Sequence, residues 1–124
     1  MPVFKIARFK VRADSKDTAE RAMFEFATYV RNELPDSAWT TYRDASAPLK
    51  YMSLIIADDA AAEERYRTAP GTQAFVDALS PSLVGSIEFT DYQLVTSSDL
   101  ARRHRDNDRG ASRSGAGRVR RRGR

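Results

Sequence analysis

Apolar and polar positions change period several times along the first hundred residues. Residues 3–12 alternate, with Val3, Ala7, Phe9 and Val11 in one row and Phe4 and Ile6 in the other. A period of two predicts a strand, and apolar groups in both rows predict one that is covered on both faces. Over 15–34 the period lengthens to that of a helix: Ala19, Ala22, Met23, Phe26, Ala27, Val30 and Leu34 form one stripe. Glu20, Arg21, Glu25 and Arg31 fall on the other side. Asp14 or Ser15 is placed to cap this helix, and Pro35 to end it.

Period two returns in residues 38–44 and 50–57, separated by the turn cluster Asp44-Ala-Ser-Ala-Pro48. In the second of these strands Met52, Leu54 and Ile56 share one face, and Tyr51, Ser53, Ile55 and Ala57 the other. Asp58 or Asp59 is placed to cap a helix over 59–69. Pro70-Gly71 interrupts it, and 72–79 reads as a further short helix with Phe75, Val76 and Leu79 inward. Pro81 and Gly85 bracket a loop before a last strand at 86–96.

The order is therefore β-α-β-β-α-β, an α+β chain of the ferredoxin-like, split βαβ type. Both helices would cover one face of a four-stranded antiparallel sheet. Met52, Leu54 and Ile56 would then lie on the uncovered face, and a stripe of that kind marks an interaction surface. Packing two such sheets together covers it, which predicts a twofold homodimer.

Composition narrows the chemistry. The chain has 124 residues, 41% of them apolar, no cysteine and one histidine, His104. A disulfide scaffold, a thiol nucleophile and a thiolate or His-cluster metal site are excluded. No run approaches the roughly 20 apolar residues of a membrane span, and the first residues lack a signal-peptide layout. The expectation is a soluble cytoplasmic protein.

The net charge of +4 is unevenly placed. Residues 101–124 hold ten arginines and two aspartates, so this segment carries +8 and residues 1–100 carry −4. The expected division is a domain at 1–100 and a disordered Arg-rich tail at 101–124, which lacks the apolar surface to offset its ordering entropy. Arginine in a Gly/Ser context offers salt-dependent affinity for nucleic acid through Arg102–Arg124. The tail has no aromatic residue for base stacking, so an extended terminus without that role is favoured.

Four side chains stand out as candidates for holding a ligand. Trp39, at a strand start, is a wall for a flat molecule or a core or dimer-interface tryptophan, the second being favoured. Tyr51 and Ser53 share one strand face and can orient a phenol or carbonyl oxygen, or be satisfied by neighbours. Tyr66, on the second helix, can donate to a substrate oxygen or equally pack in the core, and is a poor base at an ordinary pKa near 10. Arg65 and Arg67 beside it are assigned to pairing with Glu63 or Glu64. Arg8 is expected to need an acidic partner across the dimer interface, Glu88 or Asp91. Asp58-Asp59 reads as a cap and not a metal site, and Pro70-Gly71-Thr72 is no phosphate loop.

Residues 3–96 resemble the antibiotic biosynthesis monooxygenase domain of the dimeric α+β barrel superfamily. The resemblance rests on the two-faced first strand, on Trp39-Thr-Thr-Tyr-Arg-Asp44, on Arg65-Tyr-Arg-Thr-Ala-Pro-Gly-Thr-Gln-Ala-Phe75 and on Ile87-Glu-Phe-Thr-Asp-Tyr92-Gln-Leu-Val95. It implies a homodimer with a small ligand between helices and sheet. It further implies oxidation of an aromatic or polyketide-like substrate by O2 with no cofactor, with substrate contacts at Trp39, Tyr51, Ser53 and Tyr66. Where quinol-oxidising members carry an Asn and a Trp four residues apart, this chain has Ser53 and Ala57. Where haem-degrading members carry Asn, Trp and His, it has Ala7, Tyr66 and Val76, and no histidine precedes His104, which argues against haem chemistry. Two other readings stand beside the oxygenase: a non-catalytic ligand-binding or stress-related dimer, and association with nucleic acid through the tail.

Overall fold

The computed structural model of the chain describes residues 1–99. Met1–Gln93 forms one compact unit. Of the second unit, residues 94–97 have no regular structure and 98–99 are helical. The expected disordered tail at 101–124 lies outside the described residues.

Four strands and three helices follow in the expected order: β1 Val3–Val11, α1 Lys16–Glu33, β2 Ser37–Asp44, β3 Ala47–Ala57, α2 Ala60–Thr68, α3 Pro70–Leu79 and β4 Leu83–Tyr92. The sheet is antiparallel throughout, in the order β2-β3-β1-β4. This is the α+β, ferredoxin-like arrangement. Burial alternates strictly along the second half of β3, where Tyr51, Ser53, Ile55 and Ala57 are buried and Met52, Leu54 and Ile56 are half-buried. The helices cover the first row and leave the second open.

The core lies between that covered face and the helices. Phe9 and Val11 of β1, Tyr51 of β3, Ala19 and Met23 of α1 and Leu79 of α3 form its main cluster. α1 contributes Ala19, Met23, Phe26 and Val30, a stripe with helical spacing. Fully burying a side chain such as Phe26 favours folding by about 1.5–3 kcal/mol, so this stripe anchors α1.

Local chemistry moved several boundaries. A short 3-10 turn at Ala13–Ser15 precedes α1, and Ser15 stands at the cap position without capping: its hydroxyl donates to Asp14 Oδ1 at 3.2 Å. Ala27, expected inward, is exposed. Asp59 caps α2 as expected, its Oδ1 accepting from the Ala62 amide at 2.9 Å. Pro70 and Gly71 do not lie between helices but form the first turn of α3. The break is the single extended residue Ala69, held out of helical geometry by the proline after it. A Cβ on Gly71 would lie 2.2 Å from the Tyr29 ring, so glycine there lets α1 and α3 approach closely.

β4 begins at Leu83 and ends at Tyr92, earlier than its apolar pattern suggested. Gly85, expected in a loop, sits inside the strand with φ +77°. The register beside it shifts: Arg8 faces Glu88 and Lys10 faces Val84. An extra pair of residues is accommodated in β4 as a bulge, for which a left-handed glycine is suited. Among the described residues no helix is long and apolar enough to cross a membrane.

Candidate functional site

The strand register arranges the helix-facing side of the sheet in rows. One row runs Trp39, Ile55, Lys5 and Asp91; the next runs Thr41, Ser53, Ala7 and Phe89; Arg43, Tyr51 and Phe9 follow. The second row is covered over Ser53 and open at its β4 end, since Ser53 is 5% exposed and Phe89 63%. The helices therefore leave the β4 margin of this layer uncovered.

Over the rows stands an aromatic cluster centred on Phe26. Its ring stacks on Phe75 at 4.4 Å and meets Trp39 edge-on at 5.0 Å. Tyr66 lies 6.1 Å away and Tyr29 6.3 Å, while Trp39 also meets Phe75 edge-on at 5.5 Å. Offset and edge-on contacts of this kind suit the ring quadrupoles. Trp39 and Tyr66, predicted from different parts of the sequence, thus meet around one ring. Phe26 and Phe75 were legible only as inward-facing residues, and nothing singled out Tyr29.

Tyr51 and Ser53 lie on the same covered face, and both hydroxyls have protein partners. Ser53 Oγ donates to Thr41 Oγ1 at 3.1 Å, a residue directly across the β2–β3 ladder. Tyr51 Oη donates to Glu20 Oε2 at 2.6 Å. Arg43 donates to the same oxygen from Nη2 at 2.6 Å and from Nε at 3.1 Å, and Lys16 Nζ stands 3.7 Å from it. The hydrogen bond from Tyr51, then those from Arg43, hold the Glu20 carboxyl below the usual glutamate range. Burial, followed by the hydrogen bond to Glu20, pushes the Tyr51 phenol up. The sequence pattern put Glu20 on the outer side of α1; it flanks the stripe beside Ala19 and turns in toward β3.

Two polar atoms in this layer have no such partner. The Tyr66 phenol makes no hydrogen bond to a described residue, and burial, with the Glu63 charge second, pushes it up to about 12. It stays protonated at neutral pH and is a donor, not a base. The Thr72 hydroxyl is buried and without a hydrogen bond in the structure; Thr72 is 8% exposed and stands one turn before Phe75 on α3. Buried polar groups are as a rule paired, and an orphan calls for an explanation such as an ordered water or a ligand.

Of the charged candidates, Arg67 pairs as expected, with Glu63 at 3.4 Å and Glu64 at 3.9 Å, whereas Arg65 pairs with Asp36. Asp91 pairs with Lys5 of its own chain at 3.6 Å, and Lys5 also reaches Glu63 at 3.4 Å. Arg8 lies opposite Glu88 in the same sheet and makes no ion pair with a described residue. No group of three or more His, Asp or Glu able to hold a metal converges among the described residues.

Solved structures share this architecture. A candidate antibiotic biosynthesis monooxygenase from Caulobacter crescentus superimposes with a TM-score of 0.72 at 17% identity, over 77% of this chain and 91% of its own. Rv0793 from Mycobacterium tuberculosis gives 0.71 at 17%, over 79% and 99%. The chain has the fold of the antibiotic biosynthesis monooxygenases. A point variant of SnoaB, a cofactor-independent oxygenase from Streptomyces nogalater, gives 0.68 at 18%, over 78% of this chain and 96% of its own. No protein-family model and no curated protein matches. In this monooxygenase-like fold the covered rows and the Phe26 cluster form the layer between helices and sheet, with Ser53 and Ala57 both buried on it.

Proposed function

We propose that this chain is a cofactor-independent monooxygenase-like protein that binds a small aromatic or polyketide-like molecule between helices and sheet. The observation that carries the reading is the buried Thr72 hydroxyl without a hydrogen bond, one turn before Phe75, next to the aromatic cluster of Phe26, Phe75, Trp39 and Tyr66. Apolar walls with a few convergent polar groups are what a small-molecule site needs. Likeness to SnoaB, an oxygenase by name, supports the reaction class.

In this reading the ligand enters at the uncovered β4 margin beside Phe89. Trp39 is a wall for its ring, and Tyr66 donates to a phenolate or carbonyl oxygen. Ser53 and Tyr51 already donate to Thr41 and Glu20, and each keeps lone pairs that accept from a substrate hydroxyl. The substrate anion supplies the electrons to O2. One oxygen atom forms a carbon–oxygen bond, and the other leaves as water with two substrate hydrogens. The protein contributes orientation and exclusion of water.

No base stands in the Phe26 cluster, since Tyr66 keeps its proton. That favours substrates acidic enough to ionise by themselves, and it equally favours the second reading, a non-catalytic ligand-binding dimer. The homodimer belongs to the same proposal: Phe4, Ile6, Leu54 and Ile56 form an apolar half on the open sheet face, which a second copy would cover. A cytoplasmic setting agrees with the cysteine-free composition.

Oxygen uptake distinguishes the two. With a dihydroxynaphthalene- or anthrone-type substrate, the purified full chain is expected to consume O2 above the blank and to saturate, with Tyr66→Phe slower. Saturable binding without uptake would leave the non-catalytic reading and remove the oxygenase.

A further inference from the structure

The margin of the layer beside β4 carries charge as well as the exposed Phe89 ring. Lys5, in the helix-facing row of β1, reaches up to Glu63 on α2, Nζ to Oε2 at 3.4 Å. Arg67 Nε stands 3.4 Å from the same Oε2, and the exposed Asp91 flanks Lys5 at 3.6 Å. Glu63 is nevertheless well inside: its side chain is 15% exposed, against 70% for its neighbour Glu64. Both cations stand on Oε2. Oε1 accepts no hydrogen bond from a described residue.

A carboxylate only accepts, and each of its oxygens has room for two hydrogen bonds. Glu63 lies one turn before Tyr66 on α2, and residues three apart share a helix face. The two are close enough for the Glu63 charge to act on the Tyr66 phenol. Tyr66 keeps its proton and donates. One face of α2 therefore offers a ligand an acceptor and a donor side by side, next to the Phe26 ring. A hydroxyl is the small group that uses both at once: its oxygen accepts from Tyr66 and its proton goes to Oε1. An ether oxygen satisfies Tyr66 alone. A ligand carboxylate brings no proton for Oε1 and sets one anion against another.

We propose that Glu63 is the hydroxyl-recognising residue of the ligand layer, its Oε1 accepting from a neutral phenolic hydroxyl to which Tyr66 donates, so that the site takes phenols and quinols and rejects their ethers and aromatic carboxylates. The inference rests on the ligand reading above and adds an acceptor that the Phe26 cluster lacks. It also gives the substrate proton a destination. As the hydroxyl ionises, its O–H bond breaks and the electron pair stays on the substrate oxygen. The proton joins Oε1 and leaves to solvent at the open margin. A carboxylate is a weak base, so the more acidic hydroxyls remain the favoured ones.

The test is equilibrium dialysis of the purified full chain at neutral pH against 1-naphthol, its ether 1-methoxynaphthalene and the anion 1-naphthoate. Naphthol is expected to bind about tenfold more tightly than either of the others. Glu63→Gln is expected to bind naphthol about tenfold more weakly and to leave the ether unchanged, which closes the gap between them. Glu64→Gln removes an exposed charge from the same helix and is expected to keep the native ratio. Melting temperature checks that both variants fold, and the ratio in the native chain needs no variant. Equal affinity for naphthol and its ether in the native chain would overturn the role of Glu63 and leave the ligand layer standing. So would a Glu63→Gln chain that weakens both probes alike, the mark of a merely structural residue. Binding of none of the three probes would remove the ligand layer and this inference with it.

Discussion

Tyr51 Oη donates to Glu20 Oε2 at 2.6 Å, joining the centre of the sheet to the first turns of α1. Arg43 and Lys16 surround the same carboxylate, so the contact is charge-assisted and shared. Tyr51→Phe removes the donor and leaves Glu20 with its cationic partners. A loss of about 1.5–3 kcal/mol in urea unfolding is expected, the usual net worth of a hydrogen bond to a charged group.

The same cluster sets an acid limb. The folded state holds Glu20 below its ordinary range, so its contribution is present above the unfolded value of about 4.3 and fades as pH falls below it. Unfolding free energy measured from pH 6 to pH 2 is expected to drop less steeply in Glu20→Gln than in the native chain. Equal slopes would mean that the carboxylate is not preferentially ionised by folding.

Tyr66 provides an alkaline limb of opposite sign. Burial raises its phenol from about 10 to about 12. Its contribution is intact below pH 10 and is lost as pH rises toward 12. Stability measured between pH 9 and pH 11.5 is expected to fall more steeply in the native chain than in Tyr66→Phe.

Thr72 buries a hydroxyl with no hydrogen bond. Thr72→Val keeps the shape and removes the unsatisfied group, whose burial costs about 1–3 kcal/mol. A gain in ligand-free stability of that order, read as a higher urea midpoint at unchanged slope, is expected. Destabilisation would show that the hydroxyl has a partner, such as an ordered water.

The apolar half of the open face makes the dimer testable. Leu54→Glu places a charge among Phe4, Ile6 and Ile56 without touching the helix-facing row. Light scattering at micromolar concentration is expected to give the mass of two chains for the native protein and of one for the variant. A native monomer would remove the second copy from the account.

What was legible in the sequence follows from periodicity. Tyr51, Ser53, Ile55 and Ala57 alternate with Met52, Leu54 and Ile56, so the two faces of β3 could be read without a structure. The α1 stripe from Ala19 to Val30 likewise gave the helix and its buried side. Features set by backbone conformation were less visible. Gly85 looks like a loop glycine, yet its left-handed φ belongs to a bulge inside β4. Pro70 looks like a helix breaker, yet a proline also starts a helix well, and only Ala69 is extended. The candidate site was legible as a face, since Trp39, Tyr51 and Ser53 all point to the helices. It was not legible as a set of partners. Glu20, Thr41 and Asp36 are brought to Tyr51, Ser53 and Arg65 by tertiary packing that no local pattern encodes.

Trp39 is the only tryptophan in the chain, and it stands at the aromatic cluster where the ligand is placed. Its fluorescence during titration with a dihydroxynaphthalene therefore tests the central claim most directly. Saturable quenching is expected, weakened in Tyr66→Phe. Emission that changes only linearly with added ligand, or equally in a Tyr66→Phe chain, would contradict a ligand site between helices and sheet.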